Sequence, residues 1–139
     1  MKPAFEPYRT HTRAICKPYA VLAAIFLATG ADAQGIEVPS GQPVSFIEFI
    51  SEEEANTVRF RFLTPEIGKT YQYADVAGDF QVVCDELVMP ALIEAAIEPS
   101  QIVLSMSAAD IPFGEDNPDV LQFFEIFRPE NGTCIWEEF

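Results

Sequence analysis

An α+β fold is predicted for this chain, and three observations predict it. Two β-rich runs, VSFIEFI and TVRFRFL, flank the polar stretch SEEEAN, and three more, QIVLSMS, VLQFFEIFR and TCIWEEF, follow late in the sequence. Between these groups, from Asp75 onward, apolar residues recur at helical spacing. The strands come in runs and do not alternate with helices. The expected architecture is an N-terminal β-hairpin, one helix that Pro90 ends or kinks, then three strands, with the helix covering a mostly antiparallel sheet.

The first quarter of the chain reads as a targeting segment. Lys2, Arg9, Arg13 and Lys17 form a basic region, Tyr19–Thr29 is an uncharged apolar run, and Ala31-Asp32-Ala33 is an A-x-A cleavage site. All three parts of a secretory signal are present, and they predict a signal peptide over residues 1–33 and a single domain over 34–139. The competing transmembrane reading fails on length. Eleven residues in Tyr19–Thr29, at about 1.5 Å each, fall well short of the roughly 30 Å of a bilayer core. Export to the periplasm or beyond, with no membrane insertion after cleavage, is the expectation.

Cleavage would sharpen the charge balance. Twenty acids and four bases (Arg59, Arg61, Lys69 and Arg128) follow Ala33, a net charge of about −16. Nucleic acid is excluded as a partner, because phosphates are bound by clustered Lys and Arg. An anionic membrane surface is disfavoured on the same ground. A cationic protein partner fits, and so does simple solubility.

Along residues 34–139 the Gly- and Pro-rich QGIEVPSGQP is an extended lead-in. In the first hairpin, pairing Ile50 with Thr57 sets Glu48 across from Arg59 on a solvent face, with Ile47, Phe49, Val58 and Phe60 inward. The consecutive Glu52, Glu53 and Glu54 then form a solvated hairpin tip. Asp75 is the expected helix N-cap. Val76, Phe80, Val83, Cys84 and Leu87 make the buried stripe, with Asp79, Gln81, Asp85 and Glu86 on other faces. The late hairpin is expected to turn through Pro129-Glu130-Asn131-Gly132, setting Phe127 opposite Cys134 and Ile126 opposite Ile135. Leu121, Phe123 and Phe127 would then share a face with Cys134 and Trp136, while Phe124, Ile126 and Ile135 occupy the other. That second face is left for a loop to cover or for a partner to bind.

Cys16 would leave with the signal, so Cys84 and Cys134 remain as an even pair in an oxidising compartment. A disulfide between them would staple the helix to the last strand, with Trp136 packed in the core beside the bridge. Asn131-Gly132-Thr133 also matches a glycosylation sequon, but the turn explains it better.

Chemistry is narrowed by what is missing. The only histidine, His11, lies in the segment to be cleaved, which removes the usual general base and the commonest zinc ligand. A disulfide would consume both remaining thiols. No GxGxxG or P-loop is present, and no cofactor is implied. Carboxylate chemistry survives, since a glycosidase-like pair needs only two acids a few ångströms apart. The most suggestive cluster is the loop FGEDNPD, where Glu115, Asp116 and Asp119 carry oxygen ligands a calcium ion accepts. It lacks the spacing of an EF-hand, and a solvated acidic turn explains it as well.

With these residues in view, the chain resembles a family of small exported bacterial proteins described only as a domain of unknown function. The likeness rests on VPSGQPV (residues 38–44), RFRFLTPEI (59–67), the helix cysteine Cys84, and most specifically QFFEIF with GTCIWEEF. It spans nearly all of residues 34–139 and brings no activity, ligand or catalytic residue with it. Such proteins sometimes carry an acetolactate synthase label. A thiamine-diphosphate enzyme needs a large cofactor cleft, which so short and acidic a domain without a phosphate-binding motif does not supply. The sequence therefore predicts a non-enzymatic periplasmic binding or accessory module. A small carboxylate hydrolase and a structural envelope protein are the alternatives.

Overall fold

The computed structural model describes residues 35–138, so the signal-peptide reading of residues 1–33 lies outside the described residues. Five strands form one sheet: β1 (Ser45–Glu52), β2 (Thr57–Leu63), β3 (Gln101–Ser107), β4 (Gln122–Glu130) and β5 (Thr133–Trp136). Their order in space is their order in sequence. Neighbours pair antiparallel except β2 and β3, which run parallel. A parallel pair needs a long crossover, and here that crossover holds the helical segment: α1 (Tyr73–Val83), a π turn (Cys84–Val88) and α2 (Met89–Ala95). The fold is α+β. The early hairpin and the three later strands are joined through the β2–β3 pair into one mixed sheet. Among the described residues no helix is long and apolar enough to cross a membrane.

Both hairpins depart from the expected register by two residues. Thr57 pairs with Glu52 instead of Ile50, so Glu48 lies across from Arg61 and Phe49 across from Phe60, with a bulge between Phe46 and Glu48. A shift of two keeps the side chains from Glu48 to Glu52 on their expected faces, but the bulge leaves Ile47, expected inward, without a partner and turns Phe46 inward against Phe60 and Phe62 instead. Glu48 and Arg59 do share a side, and Phe49, Val58 and Phe60 share the other. The late hairpin turns through two residues, Asn131 and Gly132, both at positive φ (52° and 82°). Asn-Gly suits such a turn because both central positions need the left-handed region. Pro129 is drawn into β4 opposite Cys134, and Phe127 pairs with Trp136.

The helical segment also differs in detail. Gln72, not Asp75, is the N-cap, and Asp75 closes a capping box by accepting from the Gln72 N–H at 2.8 Å. The chain stays helical through Pro90, the second residue after the π turn. A π turn holds more residues than an α turn, and that rotates the stripe. Val88 is fully buried where Leu87 was expected, and Leu87 is exposed. Phe62, Phe80, Leu104, Met106 and Phe127 fill the space between helix and sheet with Cys84 and Cys134.

Asp79 corrects the sequence reading most. It is buried completely, not turned to another face. Its carboxylate accepts from the Ser40 N–H (3.0 Å), the Ser40 hydroxyl (2.6 Å) and Gln42 Nε2 (2.9 Å). The lead-in VPSGQPV is thus clasped to the helix by a satisfied buried charge, which an apolar neighbourhood tolerates only with such partners. At the other end Cys84 and Cys134 are joined, with S–S 2.01 Å and Cα atoms 6.1 Å apart.

Candidate functional site

On the side of the sheet away from the helix, alternation sends Arg59 and Arg61 outward from β2, beside Val103 and Ser105 of the parallel β3. From β4 come Gln122 and Phe124, opposite Ser107 and Ser105. The loop after β3 folds back over this surface. Its base is closed by the Ala108 N–H donating to the Leu121 carbonyl at 2.9 Å. Ile111 is buried and its carbonyl accepts from Arg61 Nη2 at 2.6 Å. The Phe113 ring lies 5.7 Å from the Arg59 guanidinium and 5.9 Å from that of Arg61, a cation–π arrangement. Arg59 and Arg61 also pair with Glu52 and Glu48.

The expectation of a wet face with Glu48 across from Arg59 is therefore corrected. Arg61 is buried beneath the loop. A cleft of about 280 Å³ remains between loop and sheet, with Phe113 and Phe124 at its lips. Those two rings are 53% and 55% exposed, too much for core residues.

Glu115 and Asp116 of the candidate acidic loop line this cleft, and Asp119 does not. The Asp119 N–H donates to Asn117 Oδ1 at 3.0 Å, an ordinary Asx turn. Among the described residues no three His, Cys, Asp or Glu side chains converge as a metal ion would require. The loop's acids form a rim.

A larger groove, about 620 Å³, runs between the end of α2 and the β4–β5 turn. Leu92, Ile93, Ile97 and Pro129 give it an apolar side, and Glu98 and Glu130 line it from distant segments. Both acids are exposed, and Glu130 is paired with Arg128 at 2.9 Å. A general acid that must hold its proton near neutral pH is made by burial, and neither carboxylate has it.

The third feature was not legible as a site. Trp136 shares the Cys134 face as expected, but it is 47% exposed and not packed in the core. Its indole Nε1 donates to Glu125 Oε2 at 2.5 Å, and the Tyr73 hydroxyl donates to Glu125 Oε1. The bond to Glu125, then burial, then the carboxylate's charge push the Tyr73 phenol up to about 12. Phe123 meets Tyr73 edge-to-face, with ring centroids 5.4 Å apart. Only the spacing of Glu125 and Trp136 on facing strands hinted at this group. The part played by Tyr73 comes from the helix crossing.

The chain matches the model of a family of unknown function, DUF6497, over residues 5–139. It belongs to that family. No curated protein and no solved structure matches it. Family membership agrees with the resemblance carried by QFFEIF and GTCIWEEF and adds no ligand or activity to the geometry.

Proposed function

We propose that this member of the family is exported by a signal over residues 1–33 and works in the periplasm or beyond as a non-enzymatic binding or accessory module for a cationic partner. The observation that carries the reading is the cleft on the helix-free face, where exposed Phe113 and Phe124 stand beside Glu115 and Asp116. Aromatic anchors within a polar rim are the anatomy of a protein-binding surface. Charge supports the sign of the partner. Arg59, Arg61 and Arg128 are all held in internal ion pairs, so the field seen from outside is that of the acids.

Affinity capture from periplasmic extract tests this. The tagged protein is expected to retain a basic protein at low salt and release it at high salt, where the Debye length is a few ångströms. Changing Phe113 and Phe124 together to Ser is expected to abolish retention. Capture of nothing, or of an acidic protein insensitive to salt, would overturn the reading. A carboxylate hydrolase is the second reading, and its candidate acids are Glu98 and Glu130, which both line the larger groove. Under that reading a sugar or ester substrate would be turned over and Glu98→Gln would stop it. Under ours, no such turnover accompanies partner binding.

A further inference from the structure

We infer that Tyr73, Glu125 and Trp136 form a recognition point for one lysine or arginine side chain of the partner. The inference rests on the cationic-partner reading above and gives it a specific place on the molecule. Glu125 is half-buried on β4. It enters none of the ion pairs formed among the described residues. Half-buried carboxylates are usually compensated by a cation or by several donors. Here two neutral donors hold the carboxylate, one on each oxygen, and the negative charge itself stays unmatched. Each carboxylate oxygen can accept more than one hydrogen bond, so a further donor can still be received.

The two donors belong to exposed aromatic side chains, Tyr73 at 41% and Trp136 at 47%. Exposed rings are ordinarily free to change rotamer. These are fixed by their bonds to the same acid, and the Tyr73 ring is also braced against Phe123. Tyrosine and tryptophan held in advance lose little entropy when a partner docks, and they are the types that dominate interface energetics. A lysine or arginine is the ligand that uses every part of the group. Its charged head meets Glu125, and its aliphatic stem lies along the indole and phenol rings. An anionic or purely apolar ligand would leave the carboxylate desolvated and unmatched.

Trp136 is the only tryptophan in the chain, so intrinsic fluorescence reports on this place directly. Titration of the purified protein with trilysine, and separately with triarginine, is expected to give a saturable change in Trp136 emission. The charge-neutral peptide of three Nε-acetyl-lysines is expected to give none. Glu125→Gln, which keeps the side chain's shape and one acceptor oxygen, should weaken binding at least about tenfold, equivalent to about 1.4 kcal/mol. Tyr73→Phe removes one hydroxyl and keeps the ring. With the carboxylate no longer held on Oε1, it should weaken trilysine binding, by less than Glu125→Gln does, whereas Glu54→Gln, at the exposed hairpin tip away from the site, should bind as the parent does. An emission change that sodium chloride reproduces at equal ionic strength would overturn the site, as would an unaltered response in Glu125→Gln. The two readings fail separately. If Glu125→Gln still captures a basic protein in a salt-sensitive way, the cationic-partner reading stands and this site falls. If trilysine binds as described while extract yields no basic protein, the site stands without that reading.

Discussion

The Tyr73 hydroxyl donates to Glu125, and that bond, followed by burial and the carboxylate's charge, raises the phenol from 10.0 to about 12. The folded-state value lies above the unfolded one. The stabilisation is therefore complete below pH 10 and is lost as the pH climbs through about 12. Comparing the tyrosinate absorption of the protein with that of Tyr73→Phe should reveal one phenol titrating near 12, and Glu125→Gln should bring it back toward 10. The stability difference between the parent and Tyr73→Phe should shrink across the same window. A Tyr73 midpoint near 10 would mean that the bond to Glu125 does not hold in solution. Trp136 carries the complementary lesson at this scale. Alternation along TCIW assigned it correctly to the face of Cys134. Its exposure depends on where the helix crosses, and no pattern in four residues encodes that.

At the level of elements, β5 shows how an edge strand is closed without another strand. Next to the two-residue turn, Cys134 directs both backbone groups away from β4. Two side chains of the helical segment meet them. Asp85 Oδ1 accepts from the Cys134 N–H at 2.8 Å, and Gln81 Nε2 donates to the Cys134 carbonyl at 2.8 Å. The pair is itself linked, Gln81 to Asp85, at 2.9 Å. Together they imitate one residue of a neighbouring strand and protect the edge from pairing with other chains. Asp85→Ala should cost about 1–3 kcal/mol, the range for losing a hydrogen bond to a charged group. It should also speed hydrogen exchange at the Cys134 amide while leaving that of β3 unchanged. Equal acceleration throughout the sheet would show a global effect and not an opened edge.

Element types and most strand faces were legible because hydrophobic period and strand alternation are local properties, while the helix faces of Asp79 and Leu87 were not. Registers were not. A slip of two residues preserves the apolar pattern, so only turn chemistry could choose, and it lay in Asn56 (φ 49°) and in Asn131-Gly132. The π turn escaped notice because nothing in CDELV marks it beyond the proline that follows. Of the candidate site, the acidic rim at Glu115 and Asp116 was legible. The burial of Arg61 and the clasp around Asp79 depend on tertiary packing.

For the whole molecule the helical segment is the hub to which both chain ends are fastened. Four residues separate Asp79, which holds the lead-in through Ser40 and Gln42, from Cys84, which holds β5. The bridge closes a sequence separation of 50 residues, for which a disulfide is worth about 2–4 kcal/mol. Reduction, or Cys134→Ser, should therefore lower the denaturation midpoint substantially. The expected spectroscopic signature differs from that of a buried indole. Trp136 is already half in water, and it is positioned by its pairing with Phe127 on β4 and by Glu125, not by the sulfur bridge. Below the lowered midpoint, the reduced protein should keep nearly the emission maximum of the oxidised one, even though it unfolds earlier. A large red shift on reduction under native conditions would mean that β5 peels away once the bridge is cut. The disulfide, and not the β4 pairing with its Asp85–Gln81 cover, would then be what keeps the last strand in the sheet.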